Sequence, residues 1–346
     1  DMDVKKGRAM EPDAIFRMAS SAKAIAGVAT MILVDEGLIS PSDSVSKFIP
    51  EFADVKVAVL AEPAKGKAKP KSNHKSKGKS KGKSAGDVPD HRLVPVDTPL
   101  TIHHLLTHTA GLMTGGPGAA VSTVEPRTAD DTRATYIPRL AKVPLDFQPG
   151  TQRRYSPGGG ITVVTRIIEI VSGTPFDEFV QKRIFNPLEM NNSYYYGVPS
   201  NKESKSVVVP GLDVSKKKGG WGLFSTAEDY LHFQQMLLNE GELFGRRVLS
   251  PAAVKMMSSH QVGDIDLATD PKSRKGMGHG YTVGVTLDPE VAANYRGKGA
   301  FGGGGALGTM SWTDPENELV AVIMLQQPRG GMQGAFAKAI HQAIID

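Results

Sequence analysis

Apolar residues along the chain repeat at two different periods, and the two are segregated. Over residues 14–36, Ile25, Val28, Ala29, Ile32 and Leu33 recur at three- and four-residue spacing, which predicts one helix, and Gly37 ends it. The pattern over 41–204 is mostly helical. Toward the C-terminus the period shortens. Thr309-Met310-Ser311-Trp312-Thr313 reads as a strand, Asp314-Pro315-Glu316-Asn317 as a turn and 318–325 (ELVAVIML) as a second strand. A further strand is predicted over 280–288 and a closing helix over 333–345. Ser225 or Thr226 reads as a helix cap, with Glu228 and Asp229 in the first turn, where the dipole favours acids. The fold class predicted is α+β: an antiparallel sheet flanked by helices, built from 1–40 and 205–346, plus a mostly helical region over 41–204.

Composition adds one interruption. The chain has 346 residues, is 40% hydrophobic and carries a formal charge of +5, enough to bury a large core. Nine lysines and no acid lie between Lys65 and Lys83; removing nine from +5 leaves −4, so the rest of the chain is mildly acidic. The stretch 61–90 is Lys, Gly, Ser and Pro with almost no apolar side chains, and is expected to be a poorly ordered insert. Lacking interleaved aromatics, it reads as a solvated loop, with weak contact to a polyanion as the alternative and no specific nucleic acid expected. The chain has no cysteine, which excludes disulfides, thiolate nucleophiles and cysteine-ligated zinc. No apolar run is long enough to span a membrane, and DMDVKKGRAM does not have the pattern of a secretory signal.

Two glycine-bearing patterns fail on context. Gly82-Lys83-Ser84-Ala85-Gly86 matches G-x-S-x-G inside the lysine repeats, with no strand before it or helix after it. Gly303-x-Gly305-x-x-Gly308 leads into a strand instead of a helix, so it is no dinucleotide loop. Consecutive glycines beside a strand still imply that another group comes close. The remaining candidate is F-R-M-A-S-S-A-K over 16–23. On a helix, residues three apart share a face and residues two apart do not. Ser20 therefore sits with Lys23, and Ser21 does not.

Residues 16–23 resemble the F-R-x-A-S-x-x-K segment of serine hydrolases related to class C β-lactamases, a superfamily that includes penicillin-binding proteins, D-aminopeptidases and family VIII carboxylesterases. LTIHHLLTHTAGL (100–112), FQPG (147–150) followed by Tyr155-Ser156, GGWGLFSTAEDY (219–230), 233–238 and 301–308 resemble further segments in the same order. The likeness covers nearly the whole chain except the lysine insert. It implies a β-lactamase/transpeptidase-like fold. It also implies an acyl-enzyme on Ser20, proton transfer by Lys23 and Tyr155, and an oxyanion hole from the backbone N–H groups of Ser20 and Ala306. A lysine amine and a tyrosine phenol both titrate near ~10 in water, so each needs the other beside it to act as a base. Gly303, Gly304 and Gly305 would admit the substrate close to the strand, with Pro157 beside it; Trp221 reads either as lining the site or as packing in the core or an interface.

Two departures bear on the substrate. The second motif usually reads Tyr-x-Asn and here is Tyr155-Ser156-Pro157; the third usually opens with Lys, His or Trp and here opens with Gly303. The absent lysine disfavours β-lactams and favours small neutral esters, with Arg153, Arg154 and Lys298 as possible substitutes. The function expected is a serine esterase acting on small carboxylic esters. The alternatives are a weak β-lactamase or D-amino-acid peptidase, or a non-catalytic penicillin-binding-protein-like module. The resemblance implies a periplasmic or secreted setting. It also implies an N-terminal helix and strand before Asp1, so a fragment or an exposed sheet face is expected. No cofactor is expected. His103, His104 and His108 have helical metal-ligand spacing but fall in a segment that is structural in the family, so no metal is expected. Tyr194, Tyr195 and Tyr196 read as packing residues, and Met236, Met256 and Met257 as core fillers.

Overall fold

The computed structural model describes residues 1–61, 88–128, 130–209, 222–265, 275–327 and 331–344. The expectation of disorder in the insert and the role given to Trp221 therefore fall on or mostly on 62–87 and 210–221, outside the described residues.

The helix predicted over 14–36 begins later than its pattern suggests. Phe16–Arg17 forms a strand, β1; Ala19–Ser21 is a 3₁₀ turn; the α-helix α1 spans Ala22–Asp35. The backbone of β1 is claimed by β5 (Leu223–Ser225) in the register Phe16↔Ser225 and Arg17↔Phe224, and a residue paired in a sheet has no amide left for a helix. Every residue of α1 from Ala24 to Leu33 is buried, as an all-round apolar helix must be. It stops where the sequence predicts: Gly37 has φ +70°, Gly37 N–H donates to Val34 O at 2.9 Å and Leu38 N–H to Leu33 O at 3.0 Å, a left-handed glycine cap.

Strands β2 (Lys56–Leu60) and β3 (His91–Pro95) pair antiparallel and carry the lysine-rich segment between them. Helices α2 (Ile102–Leu106), α3 (Pro117–Val121), α4 (Arg133–Leu140), α5 (Gly160–Ser172) and α6 (Phe176–Val180) follow. Of these, α5 and α6 pack on α1, while α2 and α4 pack on α5. Strand β4 (Tyr194–Tyr195) adds to the far side of β5, giving the order β1-β5-β4. Helix α7 (Ala227–Leu238) starts at Thr226, whose side chain accepts from Asp229 N–H. Strands β6 (Glu242–Leu243) and β7 (Arg246–Arg247) make a small ribbon before helix α8 (Pro251–Ser258).

The main sheet has five antiparallel strands in the order β12-β11-β10-β9-β8: β8 Met277–His279, β9 Gly284–Thr286, β10 Phe301–Gly304, β11 Met310–Asp314 and β12 Leu319–Ile323. The predicted hairpin is β11–β12, paired Met310↔Ile323 to Asp314↔Leu319. The predicted strand over 280–288 is shorter, at Gly284–Thr286. Glycines 302–304, read as the approach to a hairpin, lie in a strand of their own. Gly302 has to be glycine there, since a Cβ would lie 2.2 Å from Ser311 O. On one face α7 packs against β11 and β12, with Thr313 Oγ1 donating to Gln234 Oε1 at 2.8 Å. On the other, the last helix, Met332–Ala343, covers Trp312 through Phe336, ring centroids 5.8 Å apart. Among the described residues no helix is long and apolar enough to cross a membrane.

Candidate active site

Ser20 is not on α1 but in the 3₁₀ turn that precedes it. The face argument survives because a 3₁₀ turn brings i and i+3 together even more directly. Ala19, immediately before Ser20, has φ +47°. That conformation costs a non-glycine residue of order ~1 kcal/mol and tends to occur at functional sites. The turn places Lys23 Nζ 3.2 Å from Ser20 Oγ. From the helical side Tyr155 brings its hydroxyl to 2.6 Å from the same oxygen, and Lys23 Nζ stands 5.1 Å from the Tyr155 ring centroid. Ser21 points elsewhere: it is buried, its Oγ lies 3.0 Å from Thr309 Oγ1, and its carbonyl accepts from the Tyr230 hydroxyl at 2.8 Å.

The segment holding Tyr155 is fixed by its neighbour. Ser156 Oγ donates to Leu112 O at 2.7 Å and accepts from Gly159 N–H and Gly160 N–H, both at 3.2 Å, so it caps the start of α5 and anchors 155–157 to the 112 loop. Pro157 has no amide side chain, but its backbone carbonyl lies 3.4 Å from Lys23 Nζ. An oxygen therefore does face the lysine at this position.

Ser20, Lys23, Pro157 and Ala306 line one cavity of about 500 Å³. Ile161, Phe176 and Tyr195 give it an apolar wall. Among the described residues the Ala306 N–H makes no hydrogen bond, so it is available to an oxyanion. Gly303, Gly304 and Gly305 are not among the lining residues. Gly303 has open space where a Cβ would stand, whereas a Cβ on Gly305 would lie 2.4 Å from Met18 O. The substitutes considered for a third-motif lysine do not reach the cavity. Arg153, Arg154 and Lys298 are not among its lining residues, and the Arg153 guanidinium bonds His279 Nδ1 at 3.1 Å.

Sequence reasoning missed Arg17, Arg133, Phe176 and Tyr195, all of which line the cavity. Tyr195 does pack, stacked on Phe185 with interplanar angle 9°, but it also faces the cavity. Arg133 is buried, pairs with Glu169 at 2.9 Å and lies over Phe176 at 5.1 Å. Sequence reasoning put Arg17 in a helix; in the strand it forms its side chain opposes that of buried Phe16, which turns it away from the core.

The three histidines have separate structural tasks. His104 completes the cap of α2 with Thr101, and His103 bonds the Tyr281 hydroxyl at 3.2 Å. His108 packs on Tyr155, ring centroids 4.8 Å apart, and its Nδ1 accepts from Ser156 N–H at 3.3 Å. Among the described residues no cluster of three or more histidines and acids is placed to hold a metal ion. Burial, helped by the nearby charges of Arg153 and Lys23, pushes His108 down from 6.5 to about 3, and burial moves His104 to about 4. Between the free and folded values the unfolded chain binds protons that the folded chain refuses, so stability falls as the pH drops from about 6.5 toward about 3. For His108 the slope approaches ~1.4 kcal/mol per pH unit. The expected result is a Tm that is level above about pH 7 and declines below it, with His108→Asn flattening the decline. A Tm level down to about pH 4 would contradict the burial of these rings.

Comparison with known proteins shows the family and the fold. The sequence profile of the family described as Beta-lactamase matches residues 2–343. Protein Rv1367c of Mycobacterium tuberculosis is 29% identical over 94% of this chain and 80% of its own length. The lovastatin esterase of Penicillium rubens is 27% identical over 91% and 80%, and esterase EstB of Burkholderia gladioli 26% over 99% and 85%. Among solved structures, EstCE1, a hydrolase with promiscuous acyltransferase activity, superposes with TM-score 0.71 at 21% identity, over 99% of this chain and 88% of that one. Simvastatin synthase (LovD) from Aspergillus terreus also gives 0.71, at 17% identity over 98% and 86%. The β-lactamase/transpeptidase-like fold predicted from the motifs is thus the observed one, and the chain belongs to the Beta-lactamase family as a serine hydrolase.

Proposed function

We propose that the chain is a serine esterase that hydrolyses small carboxylic esters through an acyl-enzyme on Ser20. The observation that carries this reading is the convergence on Ser20 Oγ of the Tyr155 hydroxyl at 2.6 Å and the Lys23 amine at 3.2 Å, at the wall of a 500 Å³ cavity. Two relatives named as esterases, the lovastatin esterase and EstB, support it.

The chemistry follows from those contacts. Ser20 Oγ attacks the ester carbonyl carbon as its proton passes to the Tyr155–Lys23 pair. The carbonyl oxygen becomes an oxyanion, held by the backbone N–H groups of Ser20 and Ala306. The C–O bond to the alcohol breaks, and the pair returns the proton to the departing alkoxide. Water then attacks the acyl carbon, its proton passes to the same pair, and the acid leaves as Ser20 Oγ recovers a hydrogen. Pro157 O, facing Lys23, helps hold the amine in place across both halves.

The test is covalent trapping. Acid quenching during turnover of 4-nitrophenyl acetate, followed by peptide mass spectrometry, is expected to show one acetyl group on the peptide carrying Ser20. A burst of 4-nitrophenol equal to the enzyme concentration should accompany it. Steady hydrolysis with no burst and no acetylated Ser20 peptide would reject the mechanism.

A further inference from the structure

The cavity that holds Ser20 is cationic. Arg17, Lys23 and Arg133 line it, and among the described residues no aspartate or glutamate does. Two of the three cations are committed. Arg133 is answered by Glu169 at 2.9 Å, and Lys23 is engaged with Ser20 and Pro157.

Arg17 is different. Its backbone is held on both sides, in register with Phe224 of β5 and by Gln326, which accepts from Arg17 N–H at 3.0 Å and donates to Arg17 O at 3.2 Å. Among the described residues, nothing bonds its guanidinium. The side chain is half-buried, so part of its hydration is lost without a protein partner in return. Gly222 leaves room beside it, since even an added Cβ there would stand 3.8 Å from Arg17 Nε. A rooted, partly desolvated guanidinium facing a reaction cavity is suited to a planar anion, because its fork matches a carboxylate in two parallel hydrogen bonds.

We infer that Arg17 is the anchor for a carboxylate on the substrate, so that the preferred esters carry a negative charge a few bonds from the scissile carbonyl, as half-esters of dicarboxylic acids do. This rests on the esterase reading above and narrows its substrate class. On this inference a cation in a different place supplies what the absent third-motif lysine would have. Glutarate, the acid product of such an ester, carries the carboxylate that the anchor would hold.

Two substrate pairs locate the charge. On the acyl side, the mono-4-nitrophenyl ester of glutaric acid is compared with 4-nitrophenyl valerate. On the alcohol side, 4-acetoxybenzoate is compared with its methyl ester. Wild-type enzyme is expected to favour the charged member of one pair by roughly tenfold or more in kcat/KM. Arg17→Gln should erase that preference mainly through KM, and Arg17→Lys should restore part of it. The preference should also shrink in high salt. An equal preference in wild type and Arg17→Gln, or none in either pair, would overturn the inference. Hydrolysis of the neutral esters in that case leaves the esterase reading standing, whereas no hydrolysis of any ester by wild type rejects both. Calorimetry with glutarate on Ser20→Ala, with and without Arg17→Gln, reads the anchor without turnover; the same affinity in both proteins would reject it.

Discussion

Ser20→Ala is expected to lower kcat/KM for 4-nitrophenyl butyrate by at least ~1,000-fold, while Ser21→Ala keeps it within about threefold. The two serines are adjacent, and only contacts separate them. Ser20 Oγ is the atom on which Tyr155 and Lys23 converge, so its removal takes away the atom proposed to attack the ester. Ser21 Oγ is buried against Thr309 Oγ1, which itself donates to Met18 O at 3.2 Å. Losing that hydroxyl breaks a buried hydrogen bond worth ~1 kcal/mol, so Ser21→Ala should show itself as a lower Tm. Stopped assays and thermal melts on both variants check the pair. Loss of turnover in Ser21→Ala with Ser20→Ala active would move the nucleophile by one residue and undo the assignment of Lys23.

The second large effect is expected at Gly305. The sheet meets the Ser20 turn there. Gly305 N–H donates to Thr309 O at 2.8 Å and Gly308 N–H to Gly305 O at 2.9 Å, closing a tight turn that presents Ala306 to the cavity. A Cβ on Gly305 would stand 2.4 Å from Met18 O, 2.5 Å from Thr309 Oγ1 and 3.2 Å from Ala19 Cβ. Two of those atoms belong to the backbone or root of the Ser20 turn, so the strain must separate Ala306 from Ser20. Gly305→Ala should cost roughly 1–3 kcal/mol of stability and at least ~100-fold in kcat, the scale for a lost oxyanion donor. Gly303→Ala, with nothing within 4 Å of its new methyl, should keep the wild-type Tm, and any fall in its turnover then reports substrate in that space. A Gly305→Ala protein with normal turnover would show that Ala306 is not held by this turn.

What was legible in the sequence follows the range of the interactions. The end of α1 is local, written in Gly37, and it was found. Its start was not, because the pairing of Phe16 with Ser225 competes with helix from more than two hundred residues away. The β11–β12 hairpin declares itself by alternation and a Pro-containing turn. Strand β10 does not, since Gly302, Gly303 and Gly304 carry no side chains to alternate. Ser20 and Lys23 could be paired by spacing alone. Tyr155 needed the family resemblance, because no short-range pattern reports a contact across 135 positions. The same limit hid the cavity wall: Phe176 and Tyr195 look like ordinary packing residues until the chain has brought them opposite Ser20.

The β2–β3 ribbon has a practical corollary for the lysine-rich segment. Its rungs run from Lys56↔Pro95 to Leu60↔His91, and Ala61 N–H donates to Asp90 O at 2.8 Å. The two ends of the segment thus leave the body side by side, one rung beyond a closed ladder. Because doubling the length of a connection costs only about 0.6 kcal/mol of closure entropy, an epitope or a fluorescent reporter spliced into this stretch should leave the ladder at its base closed.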